Sequence, residues 1–226
     1  MIYENIKKAK FINRPNRFIA NIEIEGKTEV CHVKNTGRCK ELLIPHATIY
    51  VQEFDGRNRK TKYDLISVYK GNRLVNIDSQ VPNKVFHQWV PESHFFKDIT
   101  LIKPETKYKN SRFDFYMETD SSKIFVEVKG VTLEENGVAL FPDAPTERGV
   151  KHINELISSI GEGYEAWIVF IIQMKDIQYF TPNVKTHKAF GEALKNAKRY
   201  GVNIIALDSH VTKNSIKAGN LVEVRL

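Results

Sequence analysis

The chain has 226 residues, 42% of them hydrophobic, with 34 Lys plus Arg against 27 Asp plus Glu. This balance excludes disordered and fibrous classes and fits one large or two small globular domains. The longest apolar run, Ala166 to Ile172, falls far short of the ~20 residues a membrane helix needs, and MIYENIKKAKF lacks a secretory signal, so no membrane association and a cytoplasmic location are expected.

The net charge of +7 is unevenly spread, because residues 1–82 hold 15 Lys plus Arg against 9 Asp plus Glu, and residues 83–226 hold 19 against 18. A positive field over the first third favours a polyanion through phosphate contacts and counterion release. Nucleic acid is therefore one reading, and a solvated basic surface is the other.

In chain order, Arg17 to Glu25, Thr28 to Lys34, Thr48 to Phe54, Tyr63 to Lys70 and Leu74 to Asp78 read as strands. Turn signals separate them: Glu25-Gly26, then Asp55-Gly56 before a polar basic loop of Arg57, Asn58, Arg59 and Lys60, then Lys70-Gly71-Asn72. Five short strands carrying the charge surplus predict a small Greek-key barrel of the oligonucleotide-binding (OB) type over residues 1–82, although an SH3-like barrel gives much the same pattern. From residue 83 the texture becomes α/β, with a short helix over Lys84 to Val90 and strands at Arg112 to Glu118 and Lys123 to Lys129. Thr146 can cap a helix from Glu147 to Ile160, on which Arg148, His152 and Glu155 share a face. Ala166 to Ile172 reads as a strand covered on both sides, followed by a helix from about Lys185 to Tyr200 and a buried strand from Asn203 to Leu207.

Chemistry concentrates on the hairpin of Arg112-Phe113-Asp114-Phe115 and Val126-Glu127-Val128-Lys129. Alternation places Phe113, Phe115 and Met117 on one face, with Arg112, Asp114 and Tyr116 on the other; Ile124, Val126 and Val128 oppose Glu127 and Lys129 in the same way. If the hairpin is symmetric about Asp120 and Ser121, Asp114 lies directly opposite Glu127. Opposed carboxylates repel, so the arrangement asks for a bound cation or a shared proton, and oxygen ligands suit Mg2+ or Mn2+. Lys129 is placed one step along, where an ammonium can offset charge on an attacked phosphate, and Glu105 is a candidate third carboxylate. Alternating charges on the wet face of a hairpin are the competing reading.

Three blocks resemble the sugar fermentation stimulation protein A family: Asn110 to Phe115, Phe125 to Leu133, and Phe141-Pro142-Asp143-Ala144-Pro145-Thr146-Glu147-Arg148-Gly149-Val150-Lys151-His152. Arg14-Pro15-Asn16-Arg17-Phe18 and Asn35-Thr36-Gly37-Arg38 are similar to it too. The resemblance implies an OB-like barrel followed by an α/β PD-(D/E)XK nuclease-like domain over residues 83–226. It also implies DNA binding, with a regulatory role in sugar (maltose) metabolism attached. It makes Asp114 and Glu127 the metal carboxylates, Lys129 the catalytic lysine and Glu105 an additional acid. Many members of that nuclease superfamily carry an acid on the first core helix, whereas Lys84 to Val90 offers only His87 and Gln88.

The expected partner is DNA, with RNA the weaker alternative, and the expected roles divide between metal-dependent hydrolysis of phosphodiesters and non-enzymatic regulation with a vestigial site. Asn35, Thr36, Gly37 and Arg38, with Arg14, Arg17, Lys34 and Lys40, can form a backbone-contact patch or an ordinary turn. Arg148, Lys151 and His152 at a helix start suit a phosphate, or Arg148 pairs an acid and His152 is a satisfied core histidine. Phe11, Phe18 and Tyr50 are expected in the core rather than stacked on bases, and Cys31 and Cys39 as buried apolar groups rather than zinc ligands. Gln173 can line the same cleft or hydrogen-bond the backbone.

Overall fold

The structure, a computed structural model, describes residues 1–35, 37–55 and 59–226. Thr36 of the candidate loop and Arg57 and Asn58 of the predicted basic loop lie outside the described residues. The barrel consists of β1 (Ile6–Asn16), β2 (Ile19–Ile24), β3 (Lys27–Val33), β4 (Thr48–Glu53) and β5 (Tyr63–Lys70), to which β6 (Arg73–Asn76) adds on β5. The order β3-β2-β1-β4-β5 is closed by a parallel β3–β5 pairing, the Greek-key closure of an OB barrel. Inward-facing Phe11, Ile22, Ile49, Val51 and Leu65 fill it. Glu25 and Gly26 both adopt positive φ and turn β2 tightly into β3.

The first strand, β1, has no counterpart in the predicted set. It buries only Ala9 and Phe11, and its lysines and asparagines obscure the alternation. Residues 1–3 also depart from the expected 1–82 barrel: Ile2 bridges Ser215 and the Tyr3 N–H donates to Asn214 O at 2.8 Å, so this segment packs on the second domain.

That domain begins at α1 (Val81–Ser93) and continues with β7 (Ile99–Tyr108), β8 (Ser111–Thr119), β9 (Lys123–Val131), β10 (Leu133–Glu135) and β11 (Val138–Phe141). Then come α2 (Glu147–Ile160), β12 (Glu165–Ile172), β13 (Tyr179–Pro182), α3 (Lys188–Arg199), β14 (Asn203–Thr212) and β15 (Ser215–Val224). The sheet order is β10-β11-β13-β15-β14-β12-β9-β8-β7, with β9, β12 and β14 mutually parallel at its centre. The unbroken apolar run of β12 is buried on both faces, as a central parallel strand requires. On the α1 face, Phe86 packs with Phe115, Met117, Val126 and Val128; on the other, α2 and α3 pack over Phe125, Ile168 and Phe170. Among the described residues no helix is long and apolar enough to cross a membrane.

Two polar clusters join the domains. Gln173 Nε2 donates to Asn76 O and Oδ1 and to Asp78 O at 3.0–3.1 Å, which settles its role as a backbone clamp. Glu134, 5% exposed, receives Lys70 Nζ at 2.7 Å, Arg73 Nη1 at 3.0 Å and the Gly137 N–H. Burial pushes the Glu134 carboxyl up, but the hydrogen bonds from Lys70, Gly137 and Arg73 outweigh it and hold the pKa at about 2. A folded-state pKa below the unfolded value of about 4.3 contributes stability above that pH, lost as pH falls from there towards 2. Glu134→Gln is expected to lower unfolding free energy by about 1–3 kcal/mol at pH 7 in urea titrations. The deficit narrows below pH 4.5; an equal deficit at pH 7 and pH 3 contradicts the assignment.

Candidate active site

The register of the β8–β9 hairpin pairs Phe115 with Val126, Tyr116 with Phe125 and Met117 with Ile124, the alignment that a turn centred on Asp120 and Ser121 predicts. The ladder stops one step before Asp114 and Glu127. There Asp114 Oδ2 accepts the Val128 N–H at 2.8 Å, and its other oxygen takes Asn83 Nδ2 from α1 at 2.9 Å. The interruption also switches the faces. Phe115 packs on Phe86 of α1 at a ring separation of 5.1 Å, whereas Phe113 packs on Phe125 at 5.0 Å on the α2 side, so the predicted common face of Phe113 and Phe115 does not hold.

Glu127 is 2% exposed. Its Oε1 is held by Lys129 Nζ and by His152 Nδ1 at 2.5 Å, while Oε2 is buried without a partner among the described residues. His152 Nε2 accepts from Arg148 Nε at 3.3 Å, which assigns the imidazole proton to Nδ1 and directs it at Glu127. Burial would raise Glu127; the His152 hydrogen bond and the Lys129 charge override it and keep the carboxyl below its ordinary value. Asp114 moves the other way, raised first by burial and then by the charge of Glu127. Two neighbouring carboxyls pushed apart in this manner are a recurrent mark of acid–base and metal sites.

Glu105 lines a cleft together with Asp114, but its carboxylate is engaged elsewhere. Glu105 stands at positive φ on the edge strand β7, with its exposed carboxylate on Arg112 Nη1 at 2.9 Å. The acid missing from the first helix has a neutral counterpart in Asn83, one residue before the helix predicted from sequence. His87 stacks on Phe115 and Gln88 accepts the terminal amino group.

A cleft of about 800 Å³ opens beside Asp114 and His152. Lys107, Lys109 and Arg112 line it from the β7–β8 hairpin, and Arg148 and Lys151 from the first turns of α2, where the Thr146 side chain caps Gly149 N–H at 3.1 Å. Lys107 and Lys109 went unremarked in the sequence because acids elsewhere in residues 83–226 cancel them in the net charge, whereas Arg112 was placed on the face of Asp114. The block from Arg148 to His152 does join the acid pair to a cationic surface.

The barrel candidates divide. Arg14 donates to the carbonyls of Gly37 and Arg38 at 2.9 Å, Arg17 at 2.6 Å and Asn35 at 2.5 Å, so it holds the loop rather than facing outward. Asn35 is buried, tied to Ile77 O and the Gly37 N–H, and Lys34 pairs with buried Asp64 at 2.9 Å. Arg14, Lys34 and Asn35 are thus internal supports, because unpaired carbonyls and a buried carboxylate claim them first. Gly37 fits against Asp143 and Asn35 where a Cβ would collide. Arg17, Arg38 and Lys40 remain exposed. Phe18, expected in the core, is exposed under the Arg17 guanidinium at 5.0 Å, while Tyr50 is half-buried beside Tyr69. Cys31 and Cys39 are buried, and burial pushes the Cys39 thiol up to about 12.

Barrel and sheet together define a two-domain protein in which an OB module is built onto an α/β domain with a buried glutamate beside a half-buried aspartate. The model of the "SfsA N-terminal OB domain" matches residues 12–77 and that of the "Sugar fermentation stimulation protein RE domain" residues 80–215. The chain belongs to the sugar fermentation stimulation protein family. A sugar fermentation stimulation protein homolog of Desulfitobacterium hafniense is 64% identical over 100% of this chain and 99% of its own length, and one of Clostridium beijerinckii is 63% identical over the whole of both. A solved structure described as Pyrococcus furiosus SfsA in complex with Ca2+ superposes with a TM-score of 0.90 at 31% identity, covering 100% of this chain and 98% of that one.

Arg14→Ala is expected to cost about 1–3 kcal/mol in denaturant unfolding, since it strands carbonyls around the 35–38 loop, whereas Arg38→Ala leaves stability within about 0.5 kcal/mol. Equal effects would deny Arg14 its supporting role.

Proposed function

We propose that this protein binds DNA and hydrolyses its phosphodiesters with a divalent ion, Mg2+ or Mn2+, held at Asp114 and Glu127. The observation that carries the reading is Glu127 Oε2, a buried acceptor with no partner among the described residues, beside a second carboxylate that its charge perturbs. Among the described residues no group of three or more His, Cys, Asp or Glu is arranged to hold a metal. Two carboxylates suffice for Mg2+, which completes its shell with waters and substrate phosphates. The calcium named for the Pyrococcus furiosus structure supports divalent binding at this fold.

The chain's own residues supply the rest. His152 and Lys129 hold Glu127 ionised and fix its rotamer, leaving Oε2 free to ligate. Asn83 and the Val128 N–H fix Asp114. Bound there, the ion would supply Lewis-acid charge for a phosphate oxygen and activate water. The Lys129 ammonium offsets charge developing on the phosphoryl group. Arg148, Lys151 and the hairpin cations grip neighbouring phosphates in the cleft, and exposed Arg17, Arg38 and Lys40 extend the contact over the barrel.

Incubating end-labelled DNA with MnCl2 tests the hydrolytic half: Asp114→Ala and Glu127→Ala are expected to lose about a hundredfold or more of the wild-type rate. Equal cleavage by all three proteins, or by none, removes the enzymatic reading. For the binding half, log affinity is expected to fall linearly with log salt, and Lys109→Ala or Arg148→Ala to flatten that slope by about 1 each. A salt-independent affinity contradicts the cleft's role. Cleavage absent with steep salt dependence retained would leave a DNA-binding protein without hydrolysis.

A further inference from the structure

A second recess, of about 170 Å³, lies where the two domains meet. Its walls are apolar on one side, from Leu133, Leu140 and Phe141, and polar on the other, from Gln173 and Asp143. Gly130 forms part of it beside Pro82 of α1 and follows Lys129 on β9, although alternation turns the two to opposite faces of the strand.

The polar side carries two unpartnered acceptors, with the hydroxyls of Ser79, already donating to Lys34 O, and Thr132 beside them. Gln173 is 1% exposed and its amide nitrogen is committed to three oxygens of Asn76 and Asp78, so the amide cannot be flipped and Oε1 faces Gly130. That oxygen accepts no hydrogen bond among the described residues, and a Cβ on Gly130 would stand 2.6 Å from it. Asp143 Oδ2 takes the Arg38 N–H at 3.1 Å, and Oδ1 has no partner among the described residues. A ligand must therefore bring donors to one edge and apolar faces to the other walls. The volume is about six times the ~30 Å³ share of one water, more than a bare ion needs and less than the ~300 Å³ of an ordinary small-molecule pocket.

We propose that this recess receives one unstacked nucleobase bearing an exocyclic amino group, taken from the strand held in the neighbouring cleft; this rests on the nucleic-acid reading above. Flat faces pack on Phe141 and the leucines, and the amino group donates to Gln173 Oε1 and Asp143 Oδ1. Thymine, which presents carbonyl oxygens there, is disfavoured.

The test uses the full chain with calcium as the divalent ion and a DNA duplex carrying one 2-aminopurine, whose fluorescence rises on unstacking. Wild type is expected to give a severalfold rise on binding, and single-stranded dC12 to compete about tenfold better than dT12. Leu140→Phe, which fills the recess, is expected to abolish the rise while duplex affinity changes by less than about twofold. Asp143→Asn, with no added bulk, is expected to erase the dC12 preference, so the proposal stays testable if Leu140→Phe fails to fold. Binding without a rise, a rise that survives both variants, or a preference for dT12 overturns it while leaving DNA binding intact. No binding of any DNA removes both readings. If calcium alone raises the melting temperature of wild type but not of Asp143→Asn, the recess is a cation site and the nucleobase proposal falls.

Discussion

One buried carboxylate, that of Glu127, ties sheet and helix together in the second domain. Glu127 sits in the middle of a sheet strand at 2% exposure, where an unpaired carboxylate would cost several kcal/mol. Lys129 and His152 compensate it from two different elements, β9 itself and α2, and Arg148 orients the histidine in turn. The placement of α2 over the sheet therefore depends on that charge as much as on its apolar face. Compensation is also incomplete, since one oxygen of the carboxylate is left bare. Structure alone would be served by a glutamine or an apolar residue; an acid saturated on one oxygen only is better suited to a ligand that arrives with positive charge.

The joint between the domains fixes how the barrel stands against that sheet. Tyr3, Asn76, Asp78 and Gln173 form a buried polar chain running from the end of the barrel into the sheet. On the other flank Glu134 takes two cations from the barrel. Such networks specify one arrangement because every partial alternative strands a buried polar group. Gly37 and Arg38, held by Arg14 through their carbonyls and by Asp143 through the Arg38 N–H, are thereby presented at the boundary, with Arg38 exposed.

Legibility in the sequence followed burial. Strands and helices with a full apolar face, such as β5, β12 and α2, were readable to within a few residues, and so was the hairpin register from Phe115–Val126 to Met117–Ile124, although the ladder stops short of Asp114 and Glu127. Sparsely buried strands were not: β1 and β7 bury few side chains, and their lysines and Pro104 imitate loop composition. Alternation along a strand is local information, which is why the sequence proposes Asp114, Glu127 and Lys129 together, although it misses the switch of faces between Phe113 and Phe115. Asn83, Lys107 and Lys109 were missed because their meaning depends on contacts that sequence spacing does not encode. For the same reason Arg14 and Lys34 read as surface cations, although a loop's carbonyls and the buried Asp64 had already engaged them.

The most direct measurement is anomalous diffraction from crystals soaked in Mn2+. The acid-pair interpretation requires a peak about 2.0–2.6 Å from Glu127 Oε2 and shared with Asp114, absent from crystals of Glu127→Gln. A saturating soak that leaves this position empty, or a peak that persists without the Glu127 carboxylate, would contradict it.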